Sequence, residues 1–139
     1  MSDPAISVER RREARERALA LLYEAEAKGV EPAAILASLP VAPDPFASDL
    51  VRGVGETITD LDERIGAVAR GWTVARMPAI DRALLRVGCY ELIHEPETPT
   101  AVIINEAVEL ATRFSTDDSG RFVNGVLSKL AADLRPRRD

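Results

Sequence analysis

The sequence predicts an all-α fold, and three observations carry that prediction. Along most of the 139 residues, apolar side chains recur at the spacing of one buried helix face. Two stretches, 84–92 (LLRVGCYEL) and 102–114 (VIINEAVELATRF), are apolar on almost every side, as helices at the centre of a bundle are. No convincing run of alternating apolar and polar residues, the mark of a half-buried strand, is present.

Taken in order, residues 1–6 are expected to be loosely held, and Ser7 to cap a helix from Val8 to about Lys28. Ala14, Ala18, Leu21, Leu22 and Ala25 form its buried stripe, and Gly29 stops it. The arginines occupy its first half. Pro32 suits the first position of a short helix to about Leu39. After the loop VAPDP, Asp44 caps a helix beginning at Pro45, with Phe46, Leu50, Val51, Val54, Ile58 and Leu61 on its stripe. Gly53 and Gly55 weaken that helix, a cost consistent with close approach of another backbone. A break is expected near Thr59-Asp60, with Asp60 capping a further helix to about Arg70.

Gly71-Trp72 marks a corner, and Pro78 opens the central helix to about His94. The two prolines of EPETP set a rigid turn before the helix Thr100–Phe114. Residues 115–119 read as a polar turn. The last helix runs from Arg121 to about Leu134 on the stripe Phe122, Val123, Val126, Leu127 and Leu130. The tail RPRRD, 135–139, is expected to be mobile. Asn124-Gly125 is a hairpin signal in isolation, but its neighbours repeat with helical period, so Gly125 is read as a close helix–helix contact.

A chain of 15.1 kDa is most simply one domain, or two small helical halves sharing a core. The single cysteine, Cys89, lies inside the apolar stretch, the setting of a buried, inert thiol in a reducing compartment. With no signal-peptide core near the start and no run long enough to span a membrane, a cytoplasmic location is expected. The net charge of −5 argues against an ordinary nucleic-acid binder, yet it hides a segregation. Residues 9–17, ERRREARER, carry a local +2, which leaves −7 on the rest. An acidic body with a basic helix end points to a localised anionic partner.

The candidate chemistry is sparse. Arg11, Arg12 and Arg15 are spaced to share a face near one helix end, and guanidinium groups bind phosphate through paired hydrogen bonds. A solvated surface with i,i+4 ion pairs is the plain alternative. Tyr23, two turns beyond Arg15, either extends that face or edges the core. Asp117, Asp118 and Ser119 read as helix-capping residues before they read as a metal site. Glu106 and Glu109 with Asn105 on a mostly apolar helix suit pairing with Arg82, Arg86 or backbone better than catalysis. One cysteine and one histidine, His94, supply neither a zinc set nor a nucleophile pair, and no phosphate-cradling glycine loop occurs. Neither enzymatic activity nor a cofactor is expected.

Three stretches together resemble one family, the bacterial transcription antitermination factor NusB. They are RRREARERALALLYEAE, GWTVARMPAIDRALLRVGCYELI and PTAVIINEAVELATRFSTDDSGRFVNGVL, in the family's order, with only residues 31–43 nondescript. The resemblance implies about seven helices in two packed sub-bundles. It implies pairing with NusE, a small ribosomal protein, and binding to single-stranded boxA RNA in nascent ribosomal RNA transcripts. The pair then joins an RNA polymerase antitermination complex with other Nus factors.

Carried over position by position, the implied RNA-binding residues are Arg11, Arg12, Arg15, Tyr23, Asp118 and Phe122. The implied partner face is Ala75, Asp81 and Arg82. Ala75 stands where relatives can be acidic, and Glu13 where they can have arginine, so an ion pair and some RNA affinity are expected to be missing. Rival expectations are a stand-alone interaction domain, such as a detached relative of the helical domain preceding some ribosomal RNA methyltransferases, or a homodimeric scaffold without RNA contact.

Overall fold

The computed structural model, which describes residues 4–136, opens five helices at or directly after a proline: Pro4, Pro32, Pro45, Pro78 and Pro99. The elements are α1 (Pro4–Lys28), α2 (Pro32–Ser38), α3 (Pro45–Val68), a 3₁₀ turn (Val74–Arg76), α4 (Ala79–His94), α5 (Thr100–Phe114) and α6 (Asp117–Leu134). Among the described residues there is no strand. The all-α expectation holds, and α3 carries non-helical angles at Thr57 (φ −119°, ψ 17°), so among the described residues six α-helices present seven helical segments.

Three boundaries differ from expectation. First, α1 already runs at Pro4, ahead of the anticipated Ser7 cap. Proline tolerates a first helical turn because its missing N–H would have no partner there. The break in α3 falls at Thr57 rather than Thr59-Asp60. Asp60 is then a helix-interior residue, and Arg64 donates to its carboxylate at 3.0 Å. Finally, α6 starts one turn early because the Thr116 side chain accepts the Ser119 N–H at 3.0 Å, which places Asp117 and Asp118 in the first turn. Negative charge is favourable at that end.

The chain forms two compact units that divide between Glu56 and Thr57. In the first, Ala14, Ala18, Leu21, Leu22 and Ala25 of α1 are buried as the stripe predicts, together with Ile35 of α2 and Ala47, Leu50, Val51 and Val54 of α3. A Cβ at Gly55 would lie 3.1 Å from Pro32, so the close neighbour there is the opening proline of α2.

The second unit is built on α4, whose buried residues include Leu84, Leu85, Val87, Gly88, Cys89 and Leu92. It packs against α5 and α6, which also pack on each other. Arg86 reaches back to the second half of α3, with Nε and Nη2 each 2.8 Å from the Asp62 carboxylate. The close helix–helix contact expected at Gly125 is not there: a Cβ at that position meets nothing within 4 Å, and Gly88 occupies the tight crossing instead.

Of the tail expected to be mobile, residues 137–139 lie outside the described residues, whereas Arg135 is tied down. Its guanidinium donates to the carbonyls of Glu91 (3.3 Å), Leu92 (3.0 Å), Glu95 (2.7 Å) and Thr98 (2.7 Å), and to Thr100 Oγ1 (3.1 Å). One side chain thereby closes the end of α4, where helix carbonyls lack intrahelical donors. The expectation of looseness over residues 1–6 overlaps α1 from Pro4 onward, and residues 1–3 lie outside the described residues.

Candidate nucleic-acid and partner surfaces

The arginine cluster of α1 is organised by the loop that starts α3. Asp44 Oδ1 accepts the Phe46 N–H at 2.9 Å and its backbone carbonyl accepts the Ser48 N–H at 3.0 Å, so Asp44 caps α3 as its position predicts. The same carboxylate takes a hydrogen bond from Arg10 Nε. The Arg10 bond first, then the Phe46 N–H, holds the Asp44 pKa below the ordinary aspartate range. Capping α3 and fixing α1 are thus done by one side chain.

Phe46, set in place by that cap, faces the arginines. The guanidinium carbon of Arg11 lies 4.5 Å from the ring centroid and that of Arg15 lies 5.4 Å away. A cation above an aromatic face is attracted by the ring quadrupole, by roughly 0.5–1 kcal/mol when exposed and more when desolvated. Arg15 is only 4% exposed, whereas Arg11 and Arg12 are exposed. The three sequence candidates therefore divide: Arg15 sits inside with Phe46, and Arg11 and Arg12 are presented at the surface. Tyr23, further along α1, is 46% exposed.

In the second unit, Asp118 and Phe122 lie within the first turns of α6. Asp118 is exposed and forms an ion pair with Arg121. Phe122 is half-buried against Trp72, with ring centroids 5.6 Å apart and planes tilted by 56°. This tilted geometry is the one aromatic quadrupoles favour. Neither Trp72 nor Phe46 was singled out by sequence reasoning as a site residue. Trp72 reads as a corner residue and Phe46 as one member of an apolar stripe. The cations over Phe46 lie on a different helix, which no local pattern displays.

The proposed partner residues surround the 3₁₀ turn. Ala75 is exposed on it, while Asp81 and Arg82 are buried on the first turns of α4. Arg82 Nη1 donates to the carbonyls of Met77 (2.6 Å), Val74 (3.1 Å) and, at longer range, Ala75 (3.4 Å). Arg82 thus braces the backbone that carries Ala75. Asp81 is bonded to Ser119, but its buried Oδ1 has no hydrogen-bond partner. Burial raises its pKa above the usual aspartate value, with the Ser119 hydrogen bond opposing.

Cys89 is fully buried, and desolvation pushes its thiol up to about 11, in keeping with an inert structural cysteine. Among the described residues, no group of three or more His, Cys, Asp or Glu side chains is placed to hold a metal. Glu106 is buried on α5, and His94 packs its ring against Tyr90 with centroids 4.5 Å apart. No helix among the described residues is long and apolar enough to cross a membrane.

Residues 12–132 match the NusB family. A transcription antitermination protein NusB from Leifsonia xyli is 45% identical over 136 residues, covering 91% of this chain and 94% of its own length. Among solved structures, NusB of T. maritima superimposes with a TM-score of 0.80 at 30% identity, over 96% of this chain and 94% of the other. A chain in a crystal structure of the antitermination factors NusB and NusE with double-stranded RNA shares the fold, with a TM-score of 0.77 at 24% identity, over 90% of this chain and 98% of its own.

Proposed function

The chain belongs to the NusB family, and from that premise we propose that it is an antitermination factor acting by assembly on RNA rather than by catalysis. In this reading it pairs with NusE, binds single-stranded boxA RNA in nascent ribosomal RNA transcripts, and joins the polymerase-bound complex of Nus factors. The observation that carries the RNA half is the arginine face of α1, where the Arg11 guanidinium is held over the Phe46 ring, a contact that does not neutralise its charge. Guanidinium groups anchored in this way lose less freedom when phosphate arrives, and a preorganised cation binds better than a loose one. Arg11 and Arg12 engage the backbone, and Arg15 keeps Phe46 and its neighbours in register. Tyr23 and Phe122 offer rings on which unpaired bases stack.

The partner half rests on the 3₁₀ turn. Ala75 makes the contact, Arg82 shapes it from beneath, and Asp81 keeps an acceptor unsatisfied beside it. An acidic body suits a basic ribosomal protein, whose own charge completes the RNA surface.

The test is RNA binding titrated with and without NusE. Binding is expected to be weak alone and stronger in the pair. If about four phosphates are engaged, log affinity falls against log salt with a slope of about −3. Replacing Arg11 and Arg12 together with alanine lowers affinity in both settings and flattens the slope; unchanged affinity defeats the assignment. Arg15, being buried, is read separately through Arg15→Lys, with the fold checked by circular dichroism.

A further inference from the structure

The corner at Gly71-Trp72 has a second feature besides its contact with Phe122. Gly71 adopts φ +80°, a conformation that side chains other than glycine rarely take. The Trp72 N–H is bonded to the Ala69 carbonyl at 3.0 Å, so the turn throws a large indole outward from a fixed backbone. Trp72 is 50% exposed, an unusual setting for the one tryptophan of a chain with so few aromatics. Phe122 buttresses it from α6.

Next to the indole lies an open cleft of about 470 Å³. Trp72 forms one wall, and Thr59, Asp62, Glu63, Gly66, Thr73 and Val74 line the rest. The Asp62 carboxylate is taken by the two nitrogens of Arg86, whereas Glu63 and the two threonines are exposed. The cleft therefore pairs a planar aromatic wall with a rim of hydroxyls and a carboxylate. A carboxylate rim repels phosphate and accepts hydrogen bonds from amino groups. An aromatic wall takes any flat π-system.

We propose that this cleft receives one splayed-out base of single-stranded RNA, stacked on Trp72, with its hydrogen-bonding edge toward Glu63, Thr59 and Thr73. The inference rests on the RNA-binding reading above and adds to it a base-selective residue outside the arginine helix. A carboxylate favours bases carrying an exocyclic amino group, namely cytosine, adenine and guanine, over uracil, which offers only acceptor oxygens around one ring N–H. Within this cleft Trp72 is the stacking surface, and Phe122, besides offering its own ring, also buttresses the indole angle.

Because Trp72 is the only tryptophan of this chain, the chain's own tryptophan emission reports on this cleft. The experiment titrates the full chain, alone and with NusE, with short boxA-like RNA, following Trp72 fluorescence and gel retention together. Parallel RNAs carry a single abasic site or a single uracil substitution at successive positions. Expected is quenching with the same midpoint as retention, relieved by an abasic site at one position. Trp72→Ala lowers affinity roughly 5- to 150-fold, the range of one lost base–aromatic stack, while Trp72→Phe retains most of it. Glu63→Ala removes the penalty for uracil at that position. Retention without any change in emission, or full affinity in Trp72→Ala, overturns the proposal. A response to NusE but not to RNA also overturns it, assigning the indole to a protein contact. If the chain and its NusE complex retain no RNA at all, the RNA-binding reading itself has failed, a result distinct from the others.

Discussion

Gly88 of α4 and Leu127 of α6 approach so closely that a Cβ on the glycine would stand 2.8 Å from Leu127 Cδ2 and 2.9 Å from Cδ1. Leu127 is fully buried, so its side chain has little room to withdraw. The glycine therefore sets the α4–α6 crossing, and its absent side chain is what lets the central helix sit flush.

Gly88→Ala is expected to lower stability by about 1–3 kcal/mol through overpacking, less the gain in helix propensity of up to about 1 kcal/mol. Gly125→Ala, where nothing lies within 4 Å and the backbone is ordinary helix, should instead stabilise by roughly 0.5–1 kcal/mol. Urea unfolding of the two variants distinguishes a packed glycine from an idle one; equal effects would contradict the crossing geometry.

Arg135 is the second lever on the same helix. Its five hydrogen bonds join the end of α4 to the 95–99 turn and the start of α5. Arg135→Ala is expected to cost about 2–3 kcal/mol, since it removes a charged donor from several carbonyls at once. Hydrogen exchange should accelerate locally over residues 93–100. Lysine should rescue little, because one ammonium cannot span the carbonyls that a planar guanidinium reaches.

Asp81 gives a pH dependence with a definite sign. Its folded pKa is raised, so the folded state holds the proton more tightly than the unfolded chain. Its contribution to stability is fully present below the unfolded value near 3.8 and is lost as pH rises through the higher folded value. Asp81→Asn removes that loss, so the variant should gain thermal stability over the wild type as pH increases from 4 to 7. A stability difference independent of pH in that window would show that the carboxylate does not titrate as its burial requires.

At the start of α6, Asp118 holds Arg121 in an ion pair, with both side chains exposed. Such a pair adds little to stability, so Asp118→Asn should leave unfolding almost unchanged. Freed of its partner, Arg121 gains as a phosphate ligand, and RNA affinity should rise several-fold with a steeper salt dependence. A fall in affinity would show instead that Asp118 itself accepts a hydrogen bond from RNA.

Much of the molecule is readable from residue order, because helical period, capping and glycine stops are local. The apolar stripes of α1 and α4, the Asp44 cap, the Pro32 opening and the buried Cys89 all follow from side chains within a few turns of each other. The family motifs add candidate residues in the same linear way. Register across helices is different, since two positions with equal local character can face different neighbours. Nothing near Gly88 or Gly125 says which one meets a buried leucine. Likewise, no local pattern sends Arg11 and Arg15 to Phe46, Arg135 to the carbonyls of α4, or Trp72 to Phe122. Those pairings are fixed by packing between elements distant in sequence, where volume must be filled and each buried polar group must find a partner. The tertiary structure therefore decided which arginine is buried, which are displayed, and which ring packs against the half-exposed tryptophan.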